Sequence, residues 1–228
     1  MDTRQILLLR VGMDLGFGGL GPLFPGGTFE YVPIPDDPES VSGQSLSFHD
    51  IPARNSDGSI VRFVPQKYIG GPAHYDPEFN TFTYGDPSRN KRGQLLRLCS
   101  NDLLVFYAGL RPVEQCRGSK LYIIGYFVVQ HVHEMISITP WPPPALRHLW
   151  GNAHFRRNDP DTDLVIVEGN PTTSRLLKYA VPLSDGQQDI LPEVANILGI
   201  SGSVKRAGAG RWIPASHIEK VKQWLYVF

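Results

Sequence analysis

The chain has 228 residues, enough for one large domain or one domain with sizeable insertions. Its 23 glycines and 20 prolines make up about a fifth of the sequence, against roughly 12% in ordinary proteins, so turns and long ordered loops outweigh long helices. The 22 basic and 22 acidic side chains cancel. That excludes a broad basic face for coating nucleic acid, whose affinity comes from neutralising phosphates, but it leaves room for a local pocket for one nucleotide. A hydrophobic share of 41% excludes disorder.

Chain order begins with Ile6 to Val11, a short apolar run bounded by glycine that reads as a buried strand. Its apolar core, Ile6 to Leu9, is too short for a secretory leader or a bilayer span. The expectation is a soluble, cytoplasmic protein with no membrane partner. The two cysteines, Cys99 and Cys116, are then expected as free thiols. A glycine-dense loop, Gly12 to Gly21, precedes a second strand signal at Thr28 to Ile34. From Asp36 to about Lys67 the sequence is polar, proline-punctuated and without period, and the loop-rich stretch continues to about residue 80. It reads as one long insertion with a single short strand at Ile60 to Val64, and excursions of that length are often functional.

Thr81 to Asp86 reads as an aromatic strand or turn, and residues 94–100 as one or two helical turns. The clearest sheet centre follows at Asp102–Leu110 and Leu121–His131, rich in β-branched and aromatic residues. Gly125 inside the second run signals a bulge or a close backbone approach. Beyond Trp141 and three prolines lie a short helix at 145–150, strands at 152–156, 164–168 and 179–182, and a short helix at 191–198. A basic glycine loop at 203–211 leads to a final helix with Ile218, Val221 and Leu225 on one face. The pattern is one β-rich α+β domain over residues 1–228.

The glycine loop lacks the Gly-Lys-Ser/Thr of a P-loop and no helical pattern follows it. It is either a structural loop that needs positive φ or a ligand loop carrying Asp14 and Phe17. His131 and His133 share a strand face, but no acidic or cysteine partners are spaced to complete a metal site. No motif calls for a metal or a cofactor. No nucleophile signature surrounds Ser174 or either cysteine. The stronger candidates mix aromatics with polar and basic groups: Phe17, Tyr75, Tyr84, Tyr107, Trp141, Asn152, His154, Arg156, Arg175 and Lys178. Aromatic faces stack on bases, while Arg and Asn bond base edges or phosphates. Strand-edge histidines bonded to backbone carbonyls are the plain alternative for His74 and His154.

Ser100-Asn101-Asp102 before the first core strand, and Ile124-Gly125 within the second, resemble the paired-strand signature of the PUA-like superfamily, including EVE, ASCH and YTH modules. Asn101 stands where those modules usually carry glycine. More of the chain is similar to the nucleotide modification associated domain family, type three. That likeness lies in Leu9–Asp14, Gly19–Phe24, Phe29–Pro35, Phe82–Asp86 and Asn152–Phe155. The resemblance implies a mixed β-barrel with short flanking helices, decorated by the insertion at about 36–80. It also implies contact with modified nucleotides, in a pocket among Tyr84, Tyr107, Asn152 and His154 with the glycine loop at its rim.

The expected function is a module that binds a nucleotide or one modified base within a DNA or RNA modification system, since a single extruded base needs a pocket more than a basic face. The rival is an enzyme that alters a base or nucleotide, with Asp14, Glu30, His74, Asp76 and His154 as acid–base candidates. Lys205, Arg206 and Arg211 in the basic loop are the expected phosphate contacts.

Overall fold

A computed structural model describes the chain except residues 1–2, 42, 44, 115–117, 136–139, 159–162 and 206–207. Its strands are β1 (Ile6–Arg10), β2 (Gly21–Leu23), β3 (Ile34–Pro35), β4 (Ala73–His74), β5 (Thr83–Asp86), β6 (Leu103–Pro112), β7 (Lys120–Glu134), β8 (Val165–Gly169), β9 (Arg175–Pro182) and β10 (Arg211–Trp212). Three short helices accompany them: α1 (Arg89–Leu95), α2 (Pro192–Leu198) and α3 (Ile218–Leu225). The strands form one large mixed sheet in the order β10-β1-β6-β7-β8-β5, with β2 also on β6 and β9 also on β7, while β3 and β4 pair separately. The path ends at β10 and β5, so no closed barrel forms among the described residues.

β1 and β6 pair in parallel and are apolar on both faces because both are covered. Leu7, Leu9, Leu104 and Phe106 face one core, while Ile6, Leu8, Leu103 and Val105 face another that is closed by α2 and α3. In β7 the parity changes along the strand. Tyr122 and Ile124 join the first core, but so do Phe127 and Val129. The extra residue is Ile124, since Phe106 pairs with Gly125 and Tyr107 with Ile123. A bulge of this kind moves the following side chains to the opposite face, until a second register shift between Val129 and His131 moves them back and Val132 packs against the first core. Gly125 is required beside Ile124, because a Cβ there would lie 2.6 Å from the Arg175 carbonyl and 2.9 Å from the Phe79 ring.

Several expected elements differ. Thr28 to Ile34 is not a strand but an extended segment with one bridge, Phe29 to Leu23, before β3. Ile60–Phe63 and Ala153–Arg156 are 3-10 turns rather than strands. Helix α1 begins five residues before the expected turns, and β10 carried no periodic signal. The insertion is more than decoration: Phe48, Ile51, Ile60 and Val64 supply the first core. Glu30 pins it, accepting the amides of Arg54 at 2.8 Å and Asn55 at 2.7 Å. Asn101 takes φ +72°, the left-handed conformation that suits glycine and that asparagine tolerates. Cys99 is an exposed free thiol, and Cys116 lies outside the described residues. Among the described residues no helix is long and apolar enough to cross a membrane.

Two glycines give predictions of opposite sign. Gly125→Ala drives β7 from β9 and is expected to cost roughly 1–3 kcal/mol. Gly93→Ala, at an exposed and unobstructed site inside α1, is expected to gain about 0.5–1 kcal/mol. Urea denaturation of both variants checks the pair.

Candidate functional site

β4 ends at His74, and two tight backbone hydrogen bonds, from the Tyr75 amide to the Ala73 carbonyl at 3.1 Å and from the Asp76 amide to the His74 carbonyl at 2.9 Å, shape the step to Asp76. His74 and Asp76 line one cavity while Tyr75 lines another. His154 comes from the 3-10 turn after Asn152. His74, Asp76 and His154 are all buried. The two imidazoles meet edge to face with centroids 4.7 Å apart, and His154 Nε2 lies 3.8 Å from Asp76 Oδ2.

Each member is held from behind. His74 Nδ1 sits 2.8 Å from Asp36 Oδ2, and the other Asp36 oxygen accepts from Arg157 Nη2 at 3.0 Å. Asp76 accepts the Gly85 amide on both oxygens at 3.1 Å and the Asn152 side-chain amide at 2.7 Å. Asn152 also donates to Thr83 Oγ1 at 3.1 Å, and its carbonyl oxygen accepts the His154 amide at 3.0 Å, capping the turn. Fully buried and fully bonded, Asn152 is a positioning residue. Gly85 must be glycine, since a Cβ would lie 2.6 Å from both His154 Cδ2 and Ile166 Cδ1.

The electrostatics separate the carboxylates. Burial pushes Asp76 up to about 7, against the opposing pull of His74 and the hydrogen bonds from Asn152 and Gly85. Asp36 also feels burial, but the hydrogen bond and charge of His74, with Arg157 behind, hold it down at about 2. Asp86 is likewise lowered despite burial, because Lys91 Nζ lies 2.9 Å away and Ser88 donates to it. Burial first, then Asp86 and Asp76, keep the Tyr84 hydroxyl protonated far above its ordinary range; it donates to Asp86 Oδ2 at 3.1 Å.

These groups surround a cavity of about 330 Å³ that also takes in Arg10 from the end of β1 and Gly12, Asp14 and Phe17 from the glycine loop. That size falls within the range of about 300–1,000 Å³ seen for small-molecule sites. Gly12 adopts φ +76°, and Asp14 accepts the Gly16 amide and faces Arg10 at 3.5 Å, so the loop is shaped by glycine and also lines the pocket. Of the expected site residues, Asp14, Phe17, His74, Asp76, Tyr84 and His154 therefore meet here. Glu30, Tyr75, Arg156, Arg175 and Lys178 line a second cavity of about 720 Å³ beyond the Tyr75 wall.

Tyr107 belongs to neither cavity: it packs in the α2–α3 core and donates to the Val204 carbonyl at 3.0 Å. Glu30 is committed to the insertion amides. His133 faces Glu168 at 3.0 Å, and its ring centroid lies 5.9 Å from that of His131. Arg211 donates to the carbonyls of Ser201 at 2.8 Å and Ser203 at 3.4 Å, and Arg206 lies outside the described residues. Lys205 is exposed beside the site, its carbonyl accepting from Arg10. Sequence reasoning missed Asp36, Gly85, Lys91 and Arg157. The Tyr84-Gly85-Asp86 run was the one local signal, because a glycine between two polar site residues marks a close approach.

Asn152→Ala removes three buried hydrogen bonds at once and is expected to cost roughly 2–4 kcal/mol in chemical denaturation. Gly85→Ala is expected to cost about 1–3 kcal/mol by overpacking and to shift the His154 ring resonances in heteronuclear NMR. Unmoved resonances would show that Gly85 does not set the ring's position.

No curated protein and no solved structure is significantly similar to the chain. The family model described as nucleotide modification associated domain 3 matches residues 5–223, nearly the whole length. By that match, and with the motif segments Leu9–Asp14, Phe82–Asp86 and Asn152–Phe155 converging on one cavity, the chain belongs to the nucleotide modification associated domain 3 family.

Proposed function

We propose that this protein admits one nucleotide into the 330 Å³ cavity as part of a nucleotide modification system, and performs chemistry on it there. The observation that carries the reading is the cavity floor, where two histidines and a carboxylate, all buried, meet beneath an opening. A pocket for recognition alone is served by aromatic faces and amides. Three buried ionisable groups are costly to desolvate, and such groups concentrate where charge or protons are handled. Arg10 and Lys91, at the same cavity and balanced by Asp14 and Asp86, suit an anionic ligand that exchanges with those carboxylates. The family's association with nucleotide modification supports the substrate class. Likeness to PUA-like modules enters only as an analogy for holding one base beside a sheet.

A binding role without chemistry is the second reading. It is favoured by the larger cavity, where Arg156, Arg175 and Lys178 surround Tyr75 and Phe79. Mass spectrometry of mononucleotides and of modified and unmodified oligonucleotides, incubated with the protein and divalent cations, separates the two. A mass-shifted product whose formation slows at least about 100-fold in His154→Gln supports the enzyme. Binding without any product supports the module. No binding of any of these ligands sinks both.

The basic loop adjoins this cavity through Arg10, and Lys205 is proposed as its phosphate contact. Lys205→Glu is expected to weaken oligonucleotide binding for all sequences alike. The log–log salt slope should fall by ~0.9 for a duplex contact or ~0.7 for a single-strand contact, with mononucleotide affinity unaltered. An unaltered slope leaves the loop a structural role.

A further inference from the structure

We propose that His74, Asp76 and His154 form a binding site for a divalent transition-metal ion of the zinc and ferrous class. The inference adds a metal to the proposed chemistry but does not rest on it, since the metal alone is the probe. One donor atom from each of the three side chains lies within 4.8 Å of the others, and all three residues are buried. Donors about 2.0–2.2 Å from one ion stand roughly 3–3.5 Å from each other. The His154 Nε2 to Asp76 Oδ2 distance of 3.8 Å is already close to that, and small side-chain rotations complete the site.

The surroundings match those of metal ligands. A metal-bound histidine commonly gives its other ring nitrogen to a carboxylate, which fixes the ring and its tautomer. His74 does this through Nδ1 to Asp36 at 2.8 Å, leaving Nε2 as its remaining donor atom. The hydrogen bonds to Asp76 come from the neutral Gly85 amide and Asn152 side chain. They orient the carboxylate without neutralising it, so a cation at its oxygens would offset the cost of burial. Gly85 lacks the Cβ that would press on His154.

Two imidazoles and one carboxylate suit zinc, iron or cobalt better than magnesium or calcium, which prefer all-oxygen shells. Three protein ligands beside a 330 Å³ cavity leave coordination positions open to water or substrate, the pattern of catalytic rather than structural sites.

The test uses the full chain, stripped with chelator and dialysed. Calorimetry is expected to give one Zn²⁺ per chain, with a raised Tm, and Co²⁺ is expected to produce d–d bands that Zn²⁺ displaces and millimolar Mg²⁺ does not. His154→Ala is expected to weaken binding at least 100-fold. Asp36→Asn, which spares all three ligands, is expected to weaken it by about 10–100-fold. Absence of stoichiometric Zn²⁺ overturns the proposal. So does undiminished affinity in a folded His154→Ala, which would place the ion elsewhere, for instance at Glu168 between His133 and His148. Should the variants not fold, X-ray absorption of the zinc-loaded wild type decides. Imidazole scattering at about 2.0–2.1 Å supports the site; sulfur ligation, or a shell without imidazole, overturns it.

Discussion

The site depends on one buried carboxylate. Asp76 is almost wholly removed from water, and a charge so placed is tolerated only with partners of good geometry. Those partners come from distant parts of the chain: the Gly85 amide on β5, the Asn152 side chain before the 153–156 turn, and the histidines at 74 and 154. Satisfying Asp76 therefore draws the end of the insertion, a sheet-edge strand and the turn to one point. The same hydrogen bonds that make the burial bearable also set the geometry of the pocket floor.

The sheet supplies the rigid backing. β5 reaches the site only as the last strand on the path through β7 and β8, and the bulge at Ile124 places Phe127 and Val129 in the core beneath it. Without the bulge, Phe127 and Val129 would turn into the α2–α3 core and leave Phe79 and Phe82 without the ring contacts they make to Phe127, at 5.4 and 5.7 Å. Phe79 stands three residues after Asp76, so the packing that seats it also anchors the segment carrying Asp76 and His74. Gly125 and Gly85 act alike here: the first lets the Arg175 carbonyl approach and the second makes room for the His154 and Ile166 side chains, and a Cβ would crowd either.

β1, β6, β7 and the terminal helix were legible in the sequence because their signals are local: apolar runs, β-branched residues and a helical stripe. The 153–156 turn was not, since Asn152-Ala153-His154-Phe155 alternates like a strand and only the capping bond from Asn152 reveals the turn. His74, Asp76 and His154 were each visible as polar residues among aromatics. Their meeting was not, because no period connects positions 36, 76, 85 and 152. Tyr107 and Glu30 show a related ambiguity. A buried polar side chain looks alike in sequence whether it serves a ligand or a backbone group, and these two serve the Val204 carbonyl and the Arg54–Asn55 amides.

The split of the candidates into two cavities has its own logic. Along 74–76 the chain sends the ionisable pair into one cavity and Tyr75 into the other. Tyr31, which donates to the Asp76 carbonyl at 2.7 Å and packs on Tyr75 at 6.1 Å, stiffens the wall between them. The smaller cavity gathers the carboxylates and histidines, where low dielectric strengthens each electrostatic interaction. The larger one gathers aromatic rings and the exposed cations Arg175 and Lys178, which suit the less exacting contacts of an anionic, planar ligand. A three-residue segment thus separates a floor of buried ionisable groups from a larger aromatic cavity, and a substitution on one side of it need not disturb the other.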